Sequence, residues 1–315
     1  MRNDSEIKIF PGSASVEFTK RICGYLNISE GESTVLKFSD GNTYVKIGEK
    51  VRGKDIYIVQ TIGLDPNNEF MELLFWVDAF RRSVANSITV IMPYFGYAKA
   101  DKKDEPRVSI RARVCADCLE TAGVDRVVTM DLHSAQIQGF FKKPVDHLYA
   151  ANLFCDYIRG MNITDYVIVS PDEGFAKNAR YYSNKLNVPL VIGSKQRTSH
   201  NEKAEIMGLM GYVEGKHAII VDDFTISCGT LTEIANVVKN RGALSVHAFV
   251  SHALLSKKGV AALRESPIEK LVATDTVHNP NIGGCEKVTV LSVADMFAKA
   301  IRIIHNKESL HELFD

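Results

Sequence analysis

Apolar and polar positions change period repeatedly along the chain, and the changes outline strands followed by helices. Residues 7–11 read as a first strand, with a helix following through about Leu26. Between residues 35 and 47 the alternation fits a hairpin turning at Ser39-Asp40-Gly41-Asn42. Residues 55–61 and 88–93 are apolar runs suited to strands buried on both faces, with a helix over 69–85 between them. Residues 110–122 read as a helix closed by Gly123, its apolar stripe formed by Ile110, Val114, Cys118 and Ala122. Further strands are predicted at 126–130, 166–170, 189–192, 246–251, 272–274 and 288–291, and helices at 176–186 and 293–304. Segments 99–107 and 193–208 read as polar loops. This alternation predicts an α/β fold of two doubly wound domains with largely parallel sheets, spanning 1–147 and 148–315.

The most informative stretch is 217–242. Residues 218–221 form a short β-branched run, after which Leu231, Ile234, Ala235 and Val238 fall at helical spacing. Thr230 with Glu233 predicts a capping box, and Gly242 a stop. The intervening loop holds Asp222 and Asp223, then Thr225, Ser227, Cys228, Gly229 and Thr230. Backbone N–H groups at a helix start, beside hydroxyls, suit a phosphate. Adjacent carboxylates at a strand's C-terminal end suit sugar hydroxyls or a hydrated Mg²⁺. The plainer reading of the two aspartates is a turn and a helix cap. Cys228 is open to two readings: a thiol made reactive by the helix dipole, or one turned inward as filler.

Composition adds exclusions. At 315 residues the chain is long enough for two domains. Its 38 basic and 38 acidic residues cancel, so bulk charge gives no support to a nucleic-acid or membrane-surface role. No apolar run has the length of a membrane span, and the first residues lack a signal peptide's apolar core. Six cysteines do not make a disulfide scaffold, and the lone Cys115–Cys118 pair reads as structural, so a cytoplasmic location is expected.

The 217–242 stretch resembles the phosphoribosyl diphosphate loop of type I phosphoribosyltransferases and ribose-phosphate diphosphokinases. Beyond it, seven further stretches resemble the diphosphokinase family in order along nearly the whole chain. They include Phe38-Ser39-Asp40-Gly41, Pro93-Tyr94-Phe95-Gly96-Tyr97-Ala98, Asp131-Leu132-His133, Gln136-Ile137-Gln138-Gly139-Phe140-Phe141 and Ser170-Pro171-Asp172. The resemblance implies transfer of the diphosphoryl group of ATP to the 1-hydroxyl of ribose 5-phosphate, with Mg²⁺ as cofactor and AMP as co-product.

It also implies roles. Asp222, Asp223, Ser227, Cys228, Gly229 and Thr230 would bind ribose 5-phosphate, and Lys195 with Arg197 would be the catalytic cations. His133 and Asp172 would hold the metal. Phe38, Asp40 and Asn42, supplied by a neighbouring subunit, would bind the nucleotide together with Lys99 and Ala100. The family forms hexamers, so a homo-oligomer is expected. Six positions depart from the usual pattern: Ile226 and Cys228 in the phosphate loop, Asn42 for Glu, Lys99-Ala100 for Arg-Gln, and Phe175 for the second glycine of the diphosphate loop. These leave two alternatives open: a weak homologue regulating an active synthetase, or a phosphoribosyltransferase.

Overall fold

A computed structural model describes residues 6–196 and 205–313. In chain order come β1 (Ile7–Pro11), α1 (Val16–Leu26), β2 (Ser33–Lys37), β3 (Thr43–Ile47), β4 (Asp55–Val59) and α2 (Pro66–Arg82). β5 (Ser87–Met92), α3 (Arg111–Ala122), β6 (Arg126–Met130), a 3-10 turn at Ala135–Phe140 and β7 (Val145–Leu148) follow. Then come α4 (Ala151–Gly160), β8 (Tyr166–Ser170), α5 (Ala176–Leu186), β9 (Leu190–Gln196) and β10 (Glu205–Met210). β11 (His217–Thr225), α6 (Gly229–Asn240), β12 (Ser245–Ala253), α7 (Lys257–Glu265), β13 (Lys270–Thr274), β14 (Val288–Leu291) and α8 (Ala294–Asn306) complete the order.

The chain divides into two compact units. The first takes the described part of Met1–Tyr149 together with Asp275–His278 and Ser292–Asp315. The second takes Ala150–Thr274 and Asn279–Leu291. A single cut between 147 and 148 therefore misses the return of the last helix. Its cause is local packing: Phe297 of α8 meets Phe18 of α1 edge to face at 5.5 Å. Asp275 fixes the returning segment, accepting from Arg21 Nη1 at 2.7 Å, Ser292 Oγ at 2.6 Å and the Val293 amide at 2.8 Å.

The first unit holds a five-stranded sheet in the order β1-β4-β5-β6-β7, parallel throughout. Its core centres on Phe10, Trp76 and Phe80, whose rings stack within 4.7–6.3 Å. β2 and β3 form a separate antiparallel hairpin closing at Lys37↔Thr43, as the alternation predicts. On α3 the predicted stripe is wrong. Ala112, Cys115, Ala116 and Leu119 are buried, while Val114 is 52% exposed. Four-residue steps drift by about 40° each on a 3.6-residue helix, so Ile110 and Ala122 end about 120° apart and the set winds off the face that Ala112, Cys115, Ala116 and Leu119 bury.

The second unit's sheet runs β10-β9-β8-β11-β12-β13-β14, parallel except where β10 pairs antiparallel with β9. After β8 the chain adds β9 on one side, then crosses back to add β11 on the other. That reversal opens a crevice at the carboxyl ends of β8 and β11, the usual ligand position in such sheets. The first sheet has no such reversal.

Candidate active site

The two strands flanking the reversal deliver the acidic residues. β11 is longer than its apolar run: it pairs with β12 through Asp222↔Val250 and on to Thr225↔Ala253. Asp222 and Asp223 thus sit in the strand's final turns of pleat rather than in the loop beyond it. The strand continues because both aspartates serve the backbone. Asp222 Oδ1 accepts from the Asp223 amide at 3.0 Å, and Asp223 Oδ1 from the Phe224 amide at 2.9 Å. Burial, and then the adjacent Asp223 charge, push the Asp222 carboxyl well above the usual carboxylate range, with Asp172 adding to the effect. Asp172, just past β8, is half-buried and accepts from the Phe175 amide through Oδ1 at 3.1 Å.

The loop from Ile226 to Cys228 turns the chain into α6. Leu231, Ile234, Ala235 and Val238 are its buried stripe, as the sequence predicts. The capping box is not formed. The helix begins at Gly229, and its cap is Cys228 in left-handed backbone (φ 61°), with no side-chain cap bond. Ser227 Oγ instead accepts from the Gly229 amide at 3.3 Å. The first-turn N–H groups of α6 lack intrahelical partners and lie at the positive end of the helix dipole. With the Ser227 hydroxyl beside them, they are donors of the kind that would cradle a phosphate.

Cys228 resolves inward. It is 1% exposed, lies in the core beside Leu231, and burial raises its thiol pKa. The helix dipole does not overcome that desolvation, so the reactive-thiol reading fails. Cys23 and Cys115 are pushed up to about 12 and Cys155 to about 11 by burial, and Cys118 is the only cysteine that is not buried. Brief iodoacetamide treatment followed by mass spectrometry is expected to label Cys118 first and leave Cys228 unlabelled. Labelling of Cys228 ahead of Cys118 would contradict the inward packing.

A further residue braces the cradle, and nothing in the local sequence signals it. Gly259, in the first turn of α7, faces the back of the loop. A Cβ there would lie 2.5 Å from the Ile226 carbonyl oxygen and 3.3 Å from the Ser227 carbonyl carbon. The same Ile226 oxygen accepts from the Ser256 amide at 3.0 Å, and Ser256 Oγ caps α7 by accepting from Gly259 N–H at 3.1 Å. Gly259→Ala must push the loop outward. A shift near 1 Å costs on the order of 10²-fold in catalysis. We expect a 10- to 100-fold loss in kcat/KM, in a protein with a parental circular dichroism spectrum. Parental kinetics in Gly259→Ala would remove α7 from the site.

Lys195 lies in β9, next to its last residue, where it pairs with Ile206 of β10. Arg197 lies outside the described residues. In the first unit, the β2–β3 turn carries Phe38, 52% exposed, with its ring 6.0 Å from Tyr44. Asp40 accepts from the Asn42 amide at 2.9 Å and from Asn42 Nδ2 at 2.8 Å, bonds that lower its pKa. Asn42 thus holds the turn. Lys99 is exposed, but Ala100 is buried at 8%, its amide donating to Tyr97 O and its carbonyl accepting from Ala112 N–H. His133 is exposed, in the loop after β6. Among the described residues, no group of three or more His, Cys, Asp or Glu side chains could hold a metal by itself.

Residues 7–123 match the family model for the N-terminal domain of ribose phosphate pyrophosphokinase, and 198–315 match the phosphoribosyl synthetase-associated domain. A ribose-phosphate pyrophosphokinase of Helicobacter pylori is 44% identical over 98% of this chain and 96% of its own length. One from Campylobacter jejuni is 44% identical, covering 98% of each chain. The crystal structure of phosphoribosylpyrophosphate synthetase from Mycobacterium smegmatis superposes with a TM-score of 0.89 at 35% identity, over 96% of this chain and 100% of that one. With two family models matched at opposite ends and relatives aligned along almost the full length, this chain belongs to the ribose-phosphate pyrophosphokinase family.

Proposed function

We propose that this chain transfers the β,γ-diphosphoryl group of ATP to the 1-hydroxyl of ribose 5-phosphate, yielding 5-phosphoribose 1-diphosphate and AMP for nucleotide biosynthesis. The observation that carries this reading is the crevice where strand order reverses, with Asp172 past β8, Asp222 and Asp223 ending β11, and the α6 cradle beside them. The cradle at 227–230 binds the 5-phosphate. A sugar with vicinal hydroxyls supplies the donors that a half-buried and a buried carboxylate, adjacent and mutually repelling, favour. With phosphate and hydroxyls fixed, the 1-hydroxyl is the remaining nucleophile. It attacks the β-phosphorus of ATP, releasing its proton to water as the new O–P bond forms, and AMP departs with the electrons of the broken α,β-anhydride bond.

Charge builds on the transferring phosphoryl oxygens. Lys195, on the β9–β10 arm, and Arg197 supply cations for it. Asp172 fits a Mg²⁺ that keeps most of its waters and binds through one or two carboxylates plus substrate phosphates, and the raised Asp222 carboxyl marks negative charge in need of a cation. His133, an unusual donor for so hard an ion, is the second candidate. When bound, Mg²⁺ spreads phosphate charge. The hairpin exposes Leu36, Phe38 and Tyr44, which supports a neighbouring copy of the chain using this tip to cover the adenine. No described helix is long and apolar enough to cross a membrane.

The test is chromatography of nucleotides after incubation with ATP and Mg²⁺, with and without ribose 5-phosphate. AMP that appears only with the sugar supports the reading. ADP as the product, or AMP independent of the sugar, refutes it.

A further inference from the structure

We infer that His147 is a positioning residue for His133, fixing the loop that carries it from both flanks. The inference rests on the metal role proposed for His133. β7 pairs with β6 so that His147 stands opposite Thr129, and its side chain is 5% exposed. From there Nε2 accepts a buried hydrogen bond from the Leu132 amide at 2.8 Å. With Nε2 an acceptor, the neutral ring carries its proton on Nδ1. Nδ1 lies 3.4 Å from Gln138 Nε2, in the 3-10 turn that follows His133; both are donors, and Gln138 Nε2 donates to Ala135 O at 3.0 Å, so the ring packs against this turn rather than bonding to it. The ring is braced by Tyr149 at a centroid distance of 4.3 Å.

The backbone adds a second anchor. Asp131 takes a left-handed conformation (φ 38°), and its amide donates to Leu148 O at 3.0 Å. Residues 131 and 132 are thus tied to β7 on one side of His133, and Gln138 meets the same imidazole on the other. His133 itself is exposed. A ligating side chain performs best when its loop is locked by buried hydrogen bonds, and loss of such support costs 10- to 100-fold in metal affinity or activity. The Leu132 amide on the imidazole and the Asp131 amide on Leu148 O, with the ring packed against Gln138, make that kind of lock.

The experiment compares the parent with His147→Leu, His147→Gln and His133→Ala. Hydrogen exchange of the 131–141 peptide, Mn²⁺ binding followed by electron paramagnetic resonance in the presence of ATP, and the Mg²⁺ concentration for half-maximal AMP formation are measured. His147→Leu is expected to speed exchange in 131–141 and raise both metal constants by about tenfold. The KM for ribose 5-phosphate should not move. His147→Gln, which keeps an acceptor at similar reach, should recover most of the loss. Should His147→Leu not fold, Gln138→Leu is expected to raise the same constants by a smaller factor. If His133→Ala weakens metal use while His147→Leu, or Gln138→Leu in its place, matches the parent, the positioning role is overturned. If His133→Ala itself leaves metal use unchanged, the metal reading of His133 falls and this inference with it.

Discussion

Lys195→Ala is expected to lower kcat by on the order of 10³-fold while leaving ribose 5-phosphate binding nearly unchanged. The argument begins with strand length. β9 pairs with β8 only as far as Ser170↔Ile192, then continues through Lys195 with β10 alone as its partner. At about 3.3 Å per residue, Lys195 stands roughly 10 Å beyond the last residue of that pairing, on the edge where Asp172 and Asp222 lie. A cation carried on this two-stranded arm meets the phosphates only as they react. Such a group acts on the transition state, so its loss appears in kcat rather than in ground-state affinity. Single-turnover rates and calorimetric titration with ribose 5-phosphate separate the two. A variant that turns over at the parental rate, or that loses sugar affinity in proportion, contradicts the assignment.

Asp222→Asn is expected to stabilise the ligand-free protein and nearly abolish its activity. Burial and the Asp223 charge raise the folded-state carboxyl of Asp222 above its unfolded value. An acid shifted in that direction favours the folded state below the ordinary carboxylate range, and the contribution is lost as pH rises through the folded value. Asparagine keeps the Oδ1 acceptor for the Asp223 amide and carries no charge. The variant should therefore melt about 2–4 °C higher than the parent at neutral pH, with the gap closing toward pH 4. Activity should fall by on the order of 10²-fold or more, since an oriented carboxylate has been replaced by a group that can accept at one atom only. Thermal melts from pH 4 to 8, read beside steady-state rates, decide the point. A variant less stable than the parent at neutral pH contradicts the burial argument.

The sequence showed most where local pattern and chemistry coincide. The β-branched run before Asp222, and the stripe Leu231, Ile234, Ala235 and Val238, announced strand and helix because both are buried against one core. The hairpin at Asp40 announced itself by alternation and by Gly41, which takes a positive φ of 90°. What stayed hidden depends on partners distant in the chain. β10 (Glu-Ile-Met-Gly-Leu-Met) is short, broken by Gly208 and set in a segment that reads as a polar loop, and it forms because β9 offers an edge. Gly259 braces the phosphate cradle through a backbone approach that no local motif encodes. The return of α8 to the first unit rests on Asp275 and Phe18, contacts across more than 250 residues of chain. Cys228 invited a dipole argument, but desolvation in the core outweighs the dipole.

The central claim is that two phosphorus atoms move together from nucleotide to sugar. ³¹P NMR of the reaction with ATP, Mg²⁺ and ribose 5-phosphate tests it most directly. The account predicts two new, mutually coupled diphosphate resonances on the sugar, appearing in step with an AMP resonance and without ADP or free phosphate. A single transferred phosphorus, with ADP accumulating, would contradict it.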